Sequence, residues 1–364
     1  MKVLAVVHSI YNTSPGQRYR IEQWETILKD FGVEIDYAPF ETAELNDHLY
    51  KKGRTFQKSR IVIGSVINRL RTLLDTRKYD LVYVFREASL IGPAFFEKII
   101  KRQNVPIVYD FDDAIFLPNV SAANAKFRFL KFPNKTAVIC RLATHVTVGN
   151  NFLAEYARQF NHNVSIIPST IDTTKYVPRA DYKIISSPTI VWSGSITTIQ
   201  HLQTLSPALQ KLAKREKFKL RVIGAADFHL DGVGVENIRW NSETESADLR
   251  QGDIGIMPLP NDLWSKGKCG MKALQYMGTA IPTICSNVGA NTEIIRDGEN
   301  GFLAANEEEW LEKLTKLLHS AELRCRIGKA ARKTVEQEYS AEVQVPRVYE
   351  VFEKAVNTQK HRNG

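Results

Sequence analysis

The sequence predicts an α/β protein made of two doubly wound parallel-sheet domains. Three observations lead there. Apolar, β-branched runs alternate with amphipathic stretches along most of the chain. The same alternation starts again in the second half. Between the halves, Pro178, Ser186, Ser187 and Pro188 punctuate residues 172–187 as a linker does. A chain of 364 residues suits two domains, each of roughly 150–200 residues.

In order, Val3–Val7 reads as a strand and Arg18–Phe31 as a helix, with Ile21, Trp24, Ile27 and Leu28 at helical spacing. Gly32 ends that helix, as glycine does just past a C-terminus. Strands follow at Val33–Ala38, Leu81–Phe85, Val105–Tyr109, His145–Val148 and Val164–Pro168. In the second half Thr189–Trp192 reads as a strand and Ile199–Lys214 as a helix. Lys219–Ile223 and Ile254–Met257 are strands, a helix begins at Gly270, and Pro282–Cys285 is a short strand. From Glu307 onward the chain reads as helix, broken near Ser320 and Ser340. Ligands of such sheets bind beyond the strands' carboxyl ends, so two of them facing each other predict an interdomain cleft.

Composition narrows the function. With 43% hydrophobic and 24% charged residues, the chain is neither disordered, collagen-like nor a disulfide scaffold. No apolar run reaches the roughly 18 residues of a membrane span. The run at Met1–His8 is too short for a signal peptide's apolar core. Four scattered cysteines, Cys140, Cys269, Cys285 and Cys325, fit free thiols in a reducing compartment. These readings place the protein in the cytoplasm. The eight histidines show no ligand spacing, so no metal is expected. A serine-hydrolase elbow, a P-loop and a dinucleotide fingerprint are all absent. The net charge of +9 is uneven, with 23 Lys/Arg against 16 Asp/Glu in residues 1–170. That half is expected to face something acidic.

Four stretches at strand ends carry the candidate chemistry. After the first strand, a polar loop with Pro15-Gly16 feeds a helix that starts with Arg18 and Arg20. Cations at a helix N-terminus oppose the dipole, a local conflict that points to function. Asp110, Asp112 and Asp113 follow another strand, and carboxylates this close repel, so one pKa is expected to rise. Arg86 ends the neighbouring strand and is expected to share their site. Ser193-Gly194-Ser195 opens the second half, where small residues let backbone N–H groups approach a phosphate. The richest stretch runs from Met257 to Lys272. It presents Lys266 and Lys268 among glycines at a helix start, which suits a pyrophosphate. Lys272 reads equally as a solvated helix lysine. Gln275 is placed to bond a ribose hydroxyl, Gly289 to let a ligand approach, and Glu293 to bind hydroxyls or a cationic centre.

Residues 51–78 hold nine Lys/Arg and one acid, Asp75, interleaved with Ile61, Ile63, Val66, Ile67, Leu70, Leu73 and Leu74. With Phe127-Arg128-Phe129-Leu130-Lys131-Phe132, this segment would dock on an anionic leaflet. A core-facing helix with a solvated basic face is the alternative. Nucleic acid is not expected, because no interleaved aromatic platform accompanies the charge.

The block from Gly255-Ile256-Met257-Pro258-Leu259 through Gly267-Lys268-Cys269-Gly270-Met271-Lys272-Ala273-Leu274-Gln275-Tyr276-Met277 to Asn287-Val288-Gly289-Ala290-Asn291-Thr292-Glu293 and Asp297-Gly298-Glu299-Asn300-Gly301 resembles the C-terminal domain of group 1, family 4 glycosyltransferases. Val108–Phe116 and Ile166–Asp172 are similar to the same family. The resemblance implies the GT-B fold, with domains at 1–172 and 187–339 and a last helix, about 340–357, crossing back to the first. It implies retaining transfer of a sugar from a nucleotide-sugar donor to a glycan or lipid-linked acceptor, in surface polysaccharide or glycoconjugate synthesis. No cofactor or catalytic metal would be tightly bound. The donor would lie in the second domain against Ser193, Gly194, Ser195, Lys266, Lys268, Lys272, Gln275, Gly289, Asn291 and Glu293. The acceptor would lie near Gly16, Arg18 and Arg20 of the first, with Lys268, Arg86, Asp112 and Asp113 as catalytic groups. An enzyme of this kind would work peripherally on the inner face of a membrane. The alternatives are a non-catalytic nucleotide-sugar or anionic-lipid binding protein, and a sugar-nucleotide epimerase of the same fold. The chain departs from the family pattern in three places. The paired glutamates fall on Gly267 and Gln275, the Arg and Lys after the second domain's first strand are absent, and the first domain's histidine is replaced near Phe111–Asp112.

Overall fold

The computed structural model describes residues 1–42, 55–89, 92–117, 132, 134–182, 186–225 and 227–363. The chain divides into two compact units, Met1–Pro168 with Gln344–Gly364, and Ser169–Val343.

Unit 1 is a six-stranded parallel sheet: β1 (Lys2–Val7), β2 (Glu34–Pro39), β3 (Leu81–Phe85), β4 (Ile107–Phe111), β5 (His145–Val148) and β6 (Val164–Ile166). Their spatial order is β2-β1-β3-β4-β5-β6. Every residue of β3 and β4 is buried, as the near-continuous apolar runs of a sheet covered on both faces require. Chain direction across the sheet reverses between β1 and β3, which is where such folds bind ligands.

The expected helix Arg18–Phe31 starts earlier and is irregular. It comprises α1 (Pro15–Gln17), one π turn over Arg18–Glu22 and α2 (Gln23–Asp30). Proline suits a first helical position, whose N–H would be orphaned anyway. Arg20 leaves helical geometry, with φ −118° and ψ −117°. It is fully enclosed there.

Unit 2 repeats the plan with β7 (Thr189–Ser193), β8 (Lys219–Ile223), β9 (Gly234–Ile238), β10 (Ile254–Met257), β11 (Thr283–Ser286) and β12 (Phe302–Ala304). The order is β12-β11-β10-β7-β8-β9, all parallel, so the reversal lies between β7 and β10. The expected helix Ile199–Lys214 is two helices, α3 (Ile199–Gln203) and α4 (Ser206–Ala213). Pro207 accounts for the break, since its ring cannot continue a helix but opens one well. After β10 come α5 (Leu263–Lys266) and α6 (Met271–Gly278).

One packing detail sets the site of unit 2. A Cβ on Gly255 would stand 2.5 Å from the Tyr276 ring. The bare glycine lets the ring of α6 lie against β10. The Tyr276 hydroxyl then accepts a hydrogen bond from the Ser193 N–H at 2.8 Å. The end of β7 is thereby tied to the helix whose N-terminus carries the lysines.

Candidate functional sites at two strand switch points

In unit 1, Arg86 follows β3 with φ +60°. A residue with a long side chain holds this left-handed conformation only where its surroundings impose it. Its backbone N–H donates to the Asp110 carbonyl at 2.7 Å. The turn sets the guanidinium beside the end of β4, where Nε donates to Asp112 at 2.7 Å and Nη2 to Asp113 at 2.8 Å. A Cβ on Gly16 would lie 2.9 Å from both Arg86 Nη2 and Asp112 Oδ2. Gly16 is therefore bare because the ion cluster needs the room. Four of the sequence-derived residues, Gly16, Arg86, Asp112 and Asp113, come together here at the β1/β3 reversal.

The electrostatics correct one expectation. Carboxylate repulsion was expected to raise a pKa. Burial does push Asp112 upward, but Arg86 and, more weakly, Arg20 outweigh it, and the net shift is downward. With its pKa held below the ordinary carboxylate range, Asp112 is a charged hydrogen-bond acceptor near neutral pH, suited to orient a hydroxyl and poorly suited to deprotonate one. His8, also beneath this cluster, is pushed down to about 3 by burial and by Arg86, Arg69 and Lys135. It bonds the Glu87 carbonyl at 2.7 Å.

Arg20 lies elsewhere than expected. Its guanidinium pairs with Asp110, donates to the Ile167 carbonyl and stacks on Trp24, 4.8 Å from the ring centre. Asp110 also accepts from Tyr83 at 2.7 Å and Thr147 at 2.6 Å. Both partners are wholly buried, so this pair locks the sheet and offers nothing to an acceptor. Arg18 is nearly buried and donates to Tyr19. The dipole conflict read at this helix start is resolved by folding both arginines inward.

In unit 2, Lys268 and Lys272 flank the start of α6. The Lys272 ammonium sits 5.3 Å over the Trp192 ring and Lys268 at the same distance over Trp264. The indoles hold the two cations by their negative faces. Gly270 caps the helix with φ +69°. Gly289, with φ +55°, packs within 3 Å of the Lys266 backbone where a Cβ would go. Asn291 is buried and donates to the Ser286 carbonyl at 3.0 Å. Glu293 is exposed on the short turn of helix after it.

Two expectations are corrected here. The backbone N–H groups of the 193–195 loop are engaged internally, with Tyr276, the Ile223 carbonyl and Thr198 as acceptors. The Ser195 hydroxyl bonds Thr197. This loop is a braced turn, with Gly194 pressed against the Trp192 ring, and not an N–H cradle. Gln275 is buried, and its amide nitrogen bonds Tyr176 at 2.8 Å and Glu245 at 3.0 Å. Trp240 and Tyr176 also donate to Glu245. Gln275 thus braces α6 from within and is not available to a ribose.

The sequence reading missed His201 of α3. Its ring is acted on by the charges of both Lys272 and Lys268, and by Asp262. A histidine two residues into a helix just after β7 was its only signal. A cavity of about 400 Å³ opens at the carboxyl ends of β10, β11 and β12, lined by Asn261, Ser286, Asn287, Asn306 and Trp310 among others. It includes neither lysine. Among the described residues no group of three His, Cys, Asp or Glu could hold a metal, and no helix is long and apolar enough to cross a membrane.

Residues 187–320 match the family described as glycosyl transferases group 1. The chain is 33% identical to spore coat protein SA of Bacillus subtilis over 318 residues, 77% of this chain and 80% of that protein. A sucrose-phosphate synthase structure from Thermosynechococcus elongatus superimposes with a TM-score of 0.73 at 14% identity, covering 98% of this chain and all of that one. Anabaena HepE, solved in complex with UDP and glucose, gives 0.65 at 13% identity over 97% and 99% of the two chains. Both likenesses are to the GT-B fold of two six-stranded parallel sheets.

Proposed function

Because the chain belongs to the group 1 glycosyltransferases, we propose that unit 2 holds a nucleotide-sugar donor by its diphosphate at the start of α6 and that unit 1 supplies the acceptor-side groups. The acceptor is a glycan or a lipid-linked glycan in surface polysaccharide or glycoconjugate synthesis, and the sugar keeps its anomeric configuration. The observation that carries this reading is the pair of ammonium groups, Lys268 and Lys272, held over indole rings at a helix N-terminus.

The chemistry follows from that placement. The bond from the sugar's anomeric carbon to the diphosphate oxygen breaks, and its electron pair goes to the diphosphate. Negative charge grows on the leaving group, where the lysines and the α6 dipole stabilise it more in the transition state than before. The acceptor oxygen bonds the anomeric carbon on the same face, and its proton passes to the departing diphosphate oxygen on that face. Asp112 and Asp113, fixed by Arg86, hold that hydroxyl as charged acceptors. Single Asp112→Asn and Asp113→Asn variants are expected to lose transfer by at least about tenfold at unchanged donor affinity, one charge-assisted hydrogen bond being worth about 1.5–3 kcal/mol. Full activity in both would remove the acceptor-side assignment.

The reading as a whole is tested by a thermal-shift panel of UDP, GDP, ADP, CDP and dTDP, followed by NMR of the product formed from the matching sugar nucleotide. One diphosphate is expected to shift the melt selectively, and the product to carry the donor's anomeric configuration. An inverted product would refute the retaining assignment. A panel with no shift would refute the donor site.

We place the working location at an anionic membrane surface, in the cytoplasm. In unit 1, α7 (Thr55–Leu73) buries Ser65, Arg69 and Leu73. Arg69 donates to the carbonyls of Val7 and Ala38 at 2.7 and 2.6 Å, sealing the ends of β1 and β2. The opposite face exposes Ile63, Ile67 and, one residue past the helix, Leu74, beside exposed Arg60 and Arg71. Apolar side chains rowed among arginines match an anionic leaflet in both hydrophobicity and charge. Phe132 is exposed, while the expected contacts at 51–54 and 127–131 lie outside the described residues. Flotation with anionic vesicles at low salt should carry the protein, and Ile63→Asp with Ile67→Asp should abolish it. Equal recovery of the wild type with neutral vesicles would contradict the charge match.

A further inference from the structure

The loop between β1 and α1 is tied down by a carboxylate that the proposed transfer does not use. Glu22 closes the π turn and is 7% exposed. Its Oε2 accepts the Asn12 backbone N–H at 2.9 Å, and its Oε1 accepts from the Gln17 amide at 2.5 Å. Gln17 is wholly buried and clamps Ser9 in turn. Its Oε1 accepts the Ser9 N–H at 3.2 Å, and its Nε2 donates to the Ser9 carbonyl at 3.0 Å. Between Ser9 and Gln17, Asn12 holds φ +62°, a left-handed conformation that asparagine tolerates at a cost. A charged acceptor on its N–H offsets that cost, because hydrogen bonds to charged groups are the stronger ones. The π turn separates two tasks. Arg20 leaves helical geometry and turns to Asp110 in the sheet, while Glu22, two residues on, turns to the loop. Such irregular turns within helices recur at functional sites.

We propose that Glu22 is a positioning residue for the acceptor side, holding this loop in the shape that lays Gly16 against the Arg86–Asp112 pair. The inference rests on the acceptor-side reading above and adds the group that sets the geometry of its ion cluster. Gly16 directly precedes the Gln17 clamp. Arg86 Nη2 and Asp112 Oδ2 both stand 2.9 Å from where its Cβ would be, so the cluster packs on the bare backbone of this residue. The same guanidinium holds Asp112 and Asp113. A loop free to shift would take that wall away and widen the range of positions open to both carboxylates. An acceptor hydroxyl is held for attack only where that range is narrow, since a misplacement of about 1 Å can cost about a hundredfold in rate. Glu22 acts at one remove, through Asn12 and Gln17, and touches no substrate itself.

The test compares the full-length wild type with Glu22→Ala, Glu22→Gln and Asp112→Asn. Hydrogen exchange read by mass spectrometry reports the tether. In Glu22→Ala, residues 9–13 are expected to exchange about tenfold faster or more, with β1 and α2 unchanged. Transfer kinetics with the sugar nucleotide that the diphosphate panel selects report the role. In Glu22→Ala, kcat should fall about tenfold or more at unchanged donor KM. Glu22→Gln keeps an oxygen for the Asn12 N–H and should recover most of both losses. A carboxylate that served stability alone would lower the melting temperature and leave kcat of the folded enzyme where it was. Wild-type exchange in Glu22→Ala, or a loosened loop with wild-type kcat, overturns the inference. If Asp112→Asn still loses transfer in that case, the acceptor-side reading stands without it. If Asp112→Asn also transfers at the wild-type rate, that reading falls and the inference with it. Should Glu22→Ala not fold, Gly16→Ala decides. Its methyl group presses on Arg86 and Asp112 and is expected to lower kcat about tenfold at unchanged donor KM. A wild-type kcat there overturns the inference.

Discussion

Lys268→Ala is expected to lower the transfer rate by two to three orders of magnitude with the melting temperature unchanged. Lys268 is half-buried on a loop, and its ammonium rests on Trp264, so removing it costs little packing. In the proposed donor site its charge faces the place where the leaving diphosphate gains charge. Removing one such preorganised group typically raises a barrier by about 2.7–4 kcal/mol. Lys272→Ala should cost less in rate and more in stability, because Lys272 lies across Trp192 in the core of unit 2. The measurement is the rate at saturating donor, with KM read separately. A rate within a few-fold of wild type would mean that the charge sits beside the reaction and not in it.

The second large effect is on the fold. Asp110→Ala leaves the Arg20 guanidinium buried and stripped of its carboxylate, with the Tyr83 and Thr147 hydroxyls also losing an acceptor. Removing one partner of a buried pair costs about 3–5 kcal/mol. For a unit of this size that corresponds to a fall in melting temperature of roughly 10 °C. Trp24 is the single tryptophan of unit 1 and carries the Arg20 guanidinium on its face. Its fluorescence reports the loss directly. An Asp110→Ala protein that melts like wild type but fails to transfer would return Arg20 and Asp110 to the site.

The two examples show what was legible in the sequence. Alternating apolar runs identify β1, β3, β4, β7, β8 and β10 because buried parallel strands leave a continuous apolar trace. β9 escaped because Gly234–Ile238 is an edge strand with mostly exposed side chains, and β12 because it has three residues. The residues at strand ends were legible as a group, since the fold places chemistry there. Their individual roles were not. Arg20 and Arg18 look alike in sequence, and only a partner 90 positions away makes Arg20 a lock for the sheet. Gln275 sits at helical spacing from Lys272, yet Tyr176 and Glu245 claim it from the opposite side.

The central claim is that the diphosphate is held by the lysines at the start of α6. The most direct measurement is calorimetric titration of wild type and of the Lys268→Ala/Lys272→Ala variant with the nucleoside diphosphate that the thermal-shift panel selects. Binding should weaken by at least about tenfold for each lysine removed, and the wild-type affinity should fall as salt screens the charges. A double variant that binds as tightly as wild type would show that the donor is held elsewhere in the molecule.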